Sequence, residues 1–463
     1  MKPVLLIDFG STYTKLTAVD VDGECLLGTA AAYTTVQTDI NDGLQKAMAL
    51  LEQKTGKLRY DACYACSSAA GGLRMITSGL VPELTGEAAR LASLGAGAKV
   101  EKVYNFQLTE DDLEEISQSK PDIFLLVGGT DGGNTECILH NAKALASLKP
   151  QFPIVIAGNR TAARECERIL AGCEVYVCPN VMPKFGVLNI EPTQKQIRDI
   201  FLNRIIQAKG LSKATELLSD IMMPTPSAVL QAMELLAQGC EGEQGIGELV
   251  AVDVGGATTD IYSIADGMPE QMNTVYKGLP EPFAKRTVEG DIGMRYSIQG
   301  IVDAAGLDRI AKLSGLSKPR ITELVEELKQ HTDKVPNGDM ELETLDYALA
   351  SMAIEEAVKR HAGTIEETYT LMGKTFVQEG KNLTNVKNIV VTGGSLIHTK
   401  RTEEIAAHAL YSPMQPASLR PMKADVWVDR TYILAAMGLL SGYYPQTALR
   451  IIKKELEHHG YSE

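Results

Sequence analysis

The sequence predicts an α/β protein of two duplicated lobes, the first of which carries an inserted α/β subdomain. Three observations lead there. An apolar strand ending in Asp, Gly and a pair of hydroxyl residues occurs twice, about 245 residues apart. Between the two copies, helical stretches alternate with short apolar strands, the pattern of a parallel, helix-flanked sheet. Finally, 463 residues are too many for one compact core, so two or three domains are expected.

The first copy opens the chain. Val4 to Ile7 is an apolar strand, Asp8-Phe9-Gly10-Ser11-Thr12 a tight turn, Lys15 to Val19 a second strand, and Asp22-Gly23 a hairpin reversal into Cys25 to Leu27. Leu44, Met48 and Leu51 mark a helix over 41–56, and a strand over 60–66 ends in Ser67-Ser68-Ala69-Ala70-Gly71-Gly72. Such small residues let a backbone come close to something else. Strands at Val100 to Tyr104, Ile123 to Val127, Ile154 to Ala157 and Val175 to Cys178 then alternate with helices, which places the inserted subdomain at about 85–180. Its strand ends carry Gly128-Gly129-Thr130-Asp131-Gly132-Gly133-Asn134 and Gly158-Asn159-Arg160, where open α/β sheets bind ligands. Turns that simply require glycine are an equal alternative.

Helices follow over 192–210 and 225–238. The second comes after Pro224-Thr225-Pro226-Ser227, with Ser227 read as its N-cap. The glycine-rich Gly239 to Gly247 reads as a linker, so the first lobe is taken as 1–245 and the second as 246–463. Beyond it the opening pattern recurs: Leu249 to Val252, then Asp253-Val254-Gly255-Gly256-Ala257-Thr258-Thr259-Asp260, then Ile261 to Ile264 and a turn at Asp266-Gly267. Helices dominate from 303 to 380, a helical insertion at about 300–380 with a polar break near Asp333 to Asp339. The strand Ile389 to Val391, the turn Thr392-Gly393-Gly394-Ser395 and a closing helix from Thr431 to Ser441 complete the chain.

Composition excludes several functions. Lys and Arg total 45 against 59 Asp and Glu, and a net charge of −14 works against wrapping a phosphate backbone, so no nucleic acid partner is expected. The apolar stretches are far shorter than the roughly 20 residues that span a bilayer, so no membrane partner is expected either. Met1-Lys2-Pro3 leads straight into a strand without the pattern of a signal peptide, which reads as a cytoplasmic protein. Eight cysteines without an export signal read as reduced thiols. Cys63 and Cys66, the one CxxC, sit in a strand-like run where side chains three apart face opposite sides and cannot share a metal.

The residue types in the turns point to nucleotide chemistry. Polyphosphate needs backbone N–H groups presented in a concave turn, which glycine permits, together with hydroxyl donors. Gly10, Ser11 and Thr12 supply these in the first copy, and Gly255, Gly256, Thr258 and Thr259 in the second. Phosphoryl transfer also needs a divalent cation, and Mg2+ prefers carboxylates that hold it partly through its waters. Asp8 and Asp253 sit where they would do so, and Asp253 is the candidate for orienting the attacking water. Gly393, Gly394 and Ser395 fit the adenosine side, where the absence of a Cβ lets backbone pack on a flat base. Each feature has a plainer alternative: Asp8 as a hairpin cap, Asp260 as a surface charge at a strand end, Gly393-Gly394 as a turn, and Lys15 as an exposed strand lysine.

In this order the motifs resemble the actin/Hsp70/hexokinase superfamily along nearly the whole chain. Residues 5–15 look like its first phosphate motif, 224–239 its first connecting helix, 250–262 its second phosphate motif, 389–396 its adenosine motif and 431–441 its second connecting helix. The resemblance implies a duplicated ribonuclease-H-like, actin/Hsp70-type two-lobed ATPase that binds ATP and Mg2+. Asp8-Phe9-Gly10-Ser11-Thr12-Tyr13-Thr14-Lys15 is similar to activator and reactivase ATPases, in which the lysine approaches phosphate. Ser67 to Arg74, Gly128 to Asn134 and Thr287-Val288-Glu289-Gly290-Asp291-Ile292-Gly293-Met294-Arg295 look like the GlmL/MutL accessory proteins of adenosylcobalamin-dependent glutamate mutase, which are distinct from the DNA mismatch-repair protein sharing the second name. That resemblance implies an ATPase that loosens the mutase and releases damaged cobalamin, with the mutase subunits as partners and homodimerisation left open. Glu289, Asp291 and Arg295 are open between lining the cleft, meeting a partner and lying in a solvated loop. Competing readings are a small-molecule kinase in which Asp253 deprotonates an acceptor hydroxyl, an iron–sulfur activator of radical dehydratases, disfavoured by the cysteine placement, and an actin-like filament protein.

Overall fold

The computed structural model describes residues 1–10, 13–34, 40–68, 73–208, 223–370 and 373–460. The chain divides into two units, one formed by Met1–Gln231 with Ala435–Ala448, the other by Ala232–Leu434 with Leu449–Glu463.

In the first unit, β1 (Pro3–Phe9) is buried along its whole length, as a run of apolar residues requires. A strand buried on both faces belongs inside a sheet. It pairs antiparallel with β2 (Tyr13–Asp20), which pairs antiparallel with β3 (Cys25–Tyr33), and on its other side it pairs parallel with β4 (Ala62–Ser67). The inserted subdomain follows as β5 (Leu73–Gly79), β6 (Ala98–Asn105), β7 (Ile123–Leu126), β8 (Ile154–Ile156) and β9 (Val175–Val177), a parallel sheet in the order β6-β5-β7-β8-β9. Four of these strands stand where the apolar runs predict them. The fifth, β5, which lies between β6 and β7, falls where the sequence suggests only the tail of a small-residue turn, because its polar Arg74, Thr77 and Ser78 hide its apolar pattern. The chain returns to the first sheet through β10 (Met223–Pro224), giving the order β10-β4-β1-β2-β3.

The second unit opens differently from expectation. Gly239 to Gly247 is not an open linker but a tight hairpin of β11 (Gly239–Cys240) and β12 (Glu243–Gln244). Gly239 takes φ +78, and a Cβ on Gly245 would stand 2.1 Å from the Ala237 carbonyl oxygen, so the glycines serve close packing. Then come β13 (Leu249–Val254), β14 (Thr259–Ile264), β15 (Thr274–Lys277) and β16 (Ala284–Glu289). Helices fill the stretch from Ile298 to His361. They stop there: β17 (Thr364–Thr370) and β18 (Gly373–Glu379) pair antiparallel, and their recurring Thr with Ile365, Tyr369, Phe376 and Val377 favour strand over helix. With β15 they form a small sheet in the order β15-β18-β17. Finally β19 (Asn388–Thr392), β20 (Asp425–Val428) and β21 (Glu457–His459) complete a main sheet ordered β16-β14-β13-β19-β20-β21. Val250, Val252, Ile389 and Val391 from it share one core with Leu345, Ala348 and Met352 of the Met340–His361 helix.

Both main sheets therefore carry the same plan. Three antiparallel strands run outward from the first, and parallel strands continue on its other side. This is the duplicated ribonuclease-H-like fold of actin/Hsp70 type, with an α/β insertion between β4 and β10 of the first copy.

Candidate nucleotide site

The two phosphate-type turns repeat down to register. In the first unit Asp8 pairs across the sheet with Lys15, and the Gly10 N–H donates to the Tyr13 carbonyl at 3.1 Å. In the second unit Asp253 pairs with Asp260, and the Gly255 N–H donates to the Thr258 carbonyl at 2.9 Å. Both glycines are needed for the same reason: a Cβ would approach the carbonyl oxygen of Tyr13 to 2.6 Å or that of Thr258 to 2.8 Å. Ser11 and Thr12, the hydroxyls expected in the first turn, lie outside the described residues.

Around Asp8 the structure gathers four elements. The carboxylate is buried, 6% exposed. Its Oδ1 accepts from Thr225 Oγ1 at 2.6 Å and from Cys66 Sγ at 3.5 Å, while Lys15 Nζ stands 3.7 Å from Oδ2. Lys15 is thus at the end of the strand facing the acid. Burial pushes the Cys66 thiol well above its ordinary range, and the neighbouring Asp8 charge adds to the effect, so Cys66 is a neutral donor here. Cys63, also buried, is three residues away on β4.

The second turn is braced from three sides. From β19, Thr392 sits beside Asp253, and Gly393 follows with φ +103; a Cβ there would stand 2.4 Å from the Val254 carbonyl oxygen and 2.9 Å from Asp253 Oδ1. So the structure brings Asp253 and Gly393 together. Gly394 is exposed, and the buried Ser395 hydroxyl has no hydrogen-bond partner among the described residues. From the segment after β16, the N–H groups of Met294, Arg295 and Tyr296 donate to the carbonyls of Gly255 and Gly256 at 2.9 to 3.0 Å. Arg295, 9% exposed, also forms a two-pronged pair with Asp346 at 3.0 and 2.8 Å, so it is a brace and not a solvated loop residue. Glu289 and Asp291 both pair with Arg360 at 2.8 Å. The fully buried Thr259 hydroxyl donates to the Ile292 carbonyl at 3.1 Å, whereas Gly256 is exposed and Thr258 partly so.

Asp260 is not a bare surface charge. Arg286, 4% exposed, donates to it through Nε at 2.9 Å and Nη2 at 2.5 Å. The two copies therefore differ in sign at one register: a lysine opposite Asp8, an arginine-paired aspartate opposite Asp253.

Sequence reasoning missed Thr225, Cys66, Arg286 and Asp429 as neighbours of these turns. Asp429 is fully buried; it accepts from Thr392 Oγ1 at 3.3 Å and from the N–H groups of Ile433 and Leu434 at 2.9 and 3.3 Å. An Asp between a strand and an apolar helix is a capping signal that the sequence does carry. The others meet their partners over separations that leave no local pattern.

Chemically, carboxylates at strand ends beside glycine turns fit Mg2+ and polyphosphate. Among the described residues no cluster of three or more His, Cys, Asp or Glu could cage a metal by itself. Magnesium is ordinarily held by one or two carboxylates and its own waters, a demand that single aspartates meet.

Residues 4–456 match the family model described as MutL protein. Protein MutL of Clostridium tetanomorphum is 48% identical over 460 residues, covering 98% of this chain and 99% of that one. Among solved structures, component A of the (R)-2-hydroxyglutaryl-CoA dehydratase of Acidaminococcus fermentans is 10% identical, covers 98% of this chain and 99% of its own, and has a TM-score of 0.31. Xylulose kinase of Lactobacillus acidophilus is 11% identical with a TM-score of 0.35, covering 100% and 93%. Ethanolamine utilization protein EutJ of Carboxydothermus hydrogenoformans is 11% identical with a TM-score of 0.29, covering 97% and 90%. Scores this low carry no weight for function.

Proposed function

Because the chain belongs to the MutL protein family, we propose that it is an ATP-binding and ATP-hydrolysing accessory factor of a cobalamin-dependent mutase, which uses closure of its lobes on nucleotide to release damaged cofactor. The observation that carries the nucleotide part is the repeated turn. Asp8 and Asp253 occupy the same register in two copies of one sheet, each ahead of a glycine that tolerates no Cβ.

In this reading the backbone N–H groups and hydroxyls of Gly10, Ser11, Thr12, Gly255, Gly256, Thr258 and Thr259 cradle phosphate, and Lys15 adds a cation beside Asp8. Gly393, Gly394 and Ser395 take the adenosine. Asp8 and Asp253 hold Mg2+ through its waters, and the ion supplies charge neutralisation on the phosphates. Asp253 also orients the attacking water. Binding energy spent on closure is then available to a client, because a ligand shifts a two-state protein only as far as it prefers one state. The mutase as client rests on the family and on the motif resemblance. No helix among the described residues is long and apolar enough to cross a membrane.

The test is ATP turnover together with rescue of cyanocobalamin-inactivated glutamate mutase. Asp8→Ala and Asp253→Ala are each expected to lower turnover by about a hundredfold or more, the scale of losing one preorganised electrostatic group, and to abolish rescue. Variants that rescue as well as the parent would refute the mechanism.

A further inference from the structure

Thr225 is the first residue of the Thr225–Gln238 helix, and it is delivered to Asp8 by the pairing of β10 with β4, Met223 opposite Cys66 and Pro224 opposite Ser67. Its hydroxyl bond to Asp8 Oδ1, at 2.6 Å, is shorter than that carboxylate's contacts with Cys66 and Lys15. The helix spans the residues the sequence suggests, 225–238, but Ser227 lies inside its first turn and is not its N-cap. Instead the Ser227 hydroxyl donates at 2.9 Å to the carbonyl of Ala96, in the bend that enters β6 of the inserted sheet. That bend is fitted to the helix: Gly97 takes φ +91, and a Cβ there would stand 2.7 Å from Ser227 Oγ and 2.8 Å from Pro224 Cβ. One helical turn thus holds the Asp8 carboxylate with one hydroxyl and the inserted sheet with another.

We propose that Thr225 is the positioning residue for Asp8, and that the turn it opens transmits nucleotide occupancy at Asp8 to the inserted subdomain through Ser227, Ala96 and Gly97. This rests on Asp8 being a nucleotide-site carboxylate. Thr225 acts through Asp8, fixing which of its oxygens is turned away from Lys15. A group drawn toward bound nucleotide pulls on that hydroxyl, and the rigid first turn of a helix passes the displacement to the bend at Ala96-Gly97. Buried polar networks behave as units because each member leaves its partner unsatisfied when removed.

Full-length parent, Thr225→Val, Thr225→Ser and Ser227→Ala are compared by ATP-binding calorimetry, steady-state turnover and amide exchange with and without Mg-ATP. In the parent, ATP is expected to change exchange in residues 96–105. Thr225→Val should lower kcat about tenfold, the scale of losing a hydrogen bond to a charged group, leave KM within about twofold, and abolish the exchange response. Thr225→Ser should restore both. Ser227→Ala should bind ATP as the parent does yet lose the response in 96–105. Should Thr225→Val fold poorly, Ser227→Ala alone decides transmission, and Thr225→Ser with parental kcat decides positioning. Parental kcat and exchange in Thr225→Val, or ATP binding by the parent with no response in 96–105, would overturn the proposal. Absence of any ATP binding by the parent would instead remove the nucleotide reading on which it stands.

Discussion

Among the described residues Lys381 is the most deeply buried lysine side chain, 1% exposed, with its Nζ donating to the carbonyls of Ala265 and Phe283 at 2.6 Å each. Burial pulls its pKa from 10.5 down to about 7; the carboxylates of Glu281, Glu248 and Asp266 pull the other way, and the Lys285 ammonium reinforces the drop. A neutral amine has two N–H donors, which two carbonyls satisfy. The unfolded chain keeps this proton up to about pH 10.5 and the folded one releases it near 7, so the unfolded state binds more protons between those limits. Stability is therefore expected to rise with pH across that window, with a slope of up to about 1.4 kcal/mol per pH unit. Urea midpoints measured from pH 7 to 9 should climb in the parent and stay flatter in Lys381→Met; parallel curves would refute the assignment. Asp260 is held in an ion pair with the buried Arg286. Removing it in Asp260→Ala strands Arg286 and should cost about 3–5 kcal/mol in denaturant unfolding, a loss that a mere surface charge would not produce. Residue-level legibility follows distance along the chain. Asp8 and Asp253 could be found because the strand and the glycine that define them are adjacent in sequence, whereas Thr225 meets Asp8 across 217 residues with nothing local to announce it.

Among the elements, the helices that contain Gly438 and Ala228 approach each other closely. A Cβ on Gly438 would stand 1.8 Å from the Ala228 carbonyl oxygen, although Gly438 lies within the regular Leu434–Ser441 helix. In an exposed helix, Gly→Ala stabilises by roughly 0.5–1 kcal/mol. Here the sign should reverse, with overpacking costing about 1–3 kcal/mol, and Gly438→Ala should melt several degrees below the parent in calorimetry; a higher melting temperature would contradict the packing. Elements with strong periodicity were legible, such as β1, β13 and the strands β6 to β9. The errors share a cause: Gly239 to Gly247, β5 and β17–β18 are decided by packing or pairing and not by local pattern. Polar residues conceal β5, and the Glu pair in β17 makes a strand look helical.

For the molecule as a whole, duplication was visible because the two copies keep the same residue types at the same register, and the insertion was visible because it changes the period of the apolar pattern. The asymmetry between copies, Lys15 against the Arg286-bound Asp260, needed coordinates. A ligand bound to the native chain and not to the unfolded one raises stability by about 2.7 kcal/mol at a hundred times its Kd. Mg-ATP at that excess should therefore raise the melting temperature of the parent, and Asp8→Ala or Asp253→Ala should erase most of the rise. An unchanged shift in both variants would place nucleotide elsewhere. The division into units has its own corollary for anyone cloning this gene. The polypeptide passes from one unit to the other at 231/232, 434/435 and 448/449. No single stop codon or internal start yields either unit both whole and free of the other: a fragment ending at Gln231 forfeits 435–448, and with it the glycine seated on Ala228. The shortest continuous products in which a unit is whole are 1–448 for the first and 232–463 for the second, and each carries part of the other, so separate production of the halves would demand a redesigned gene order.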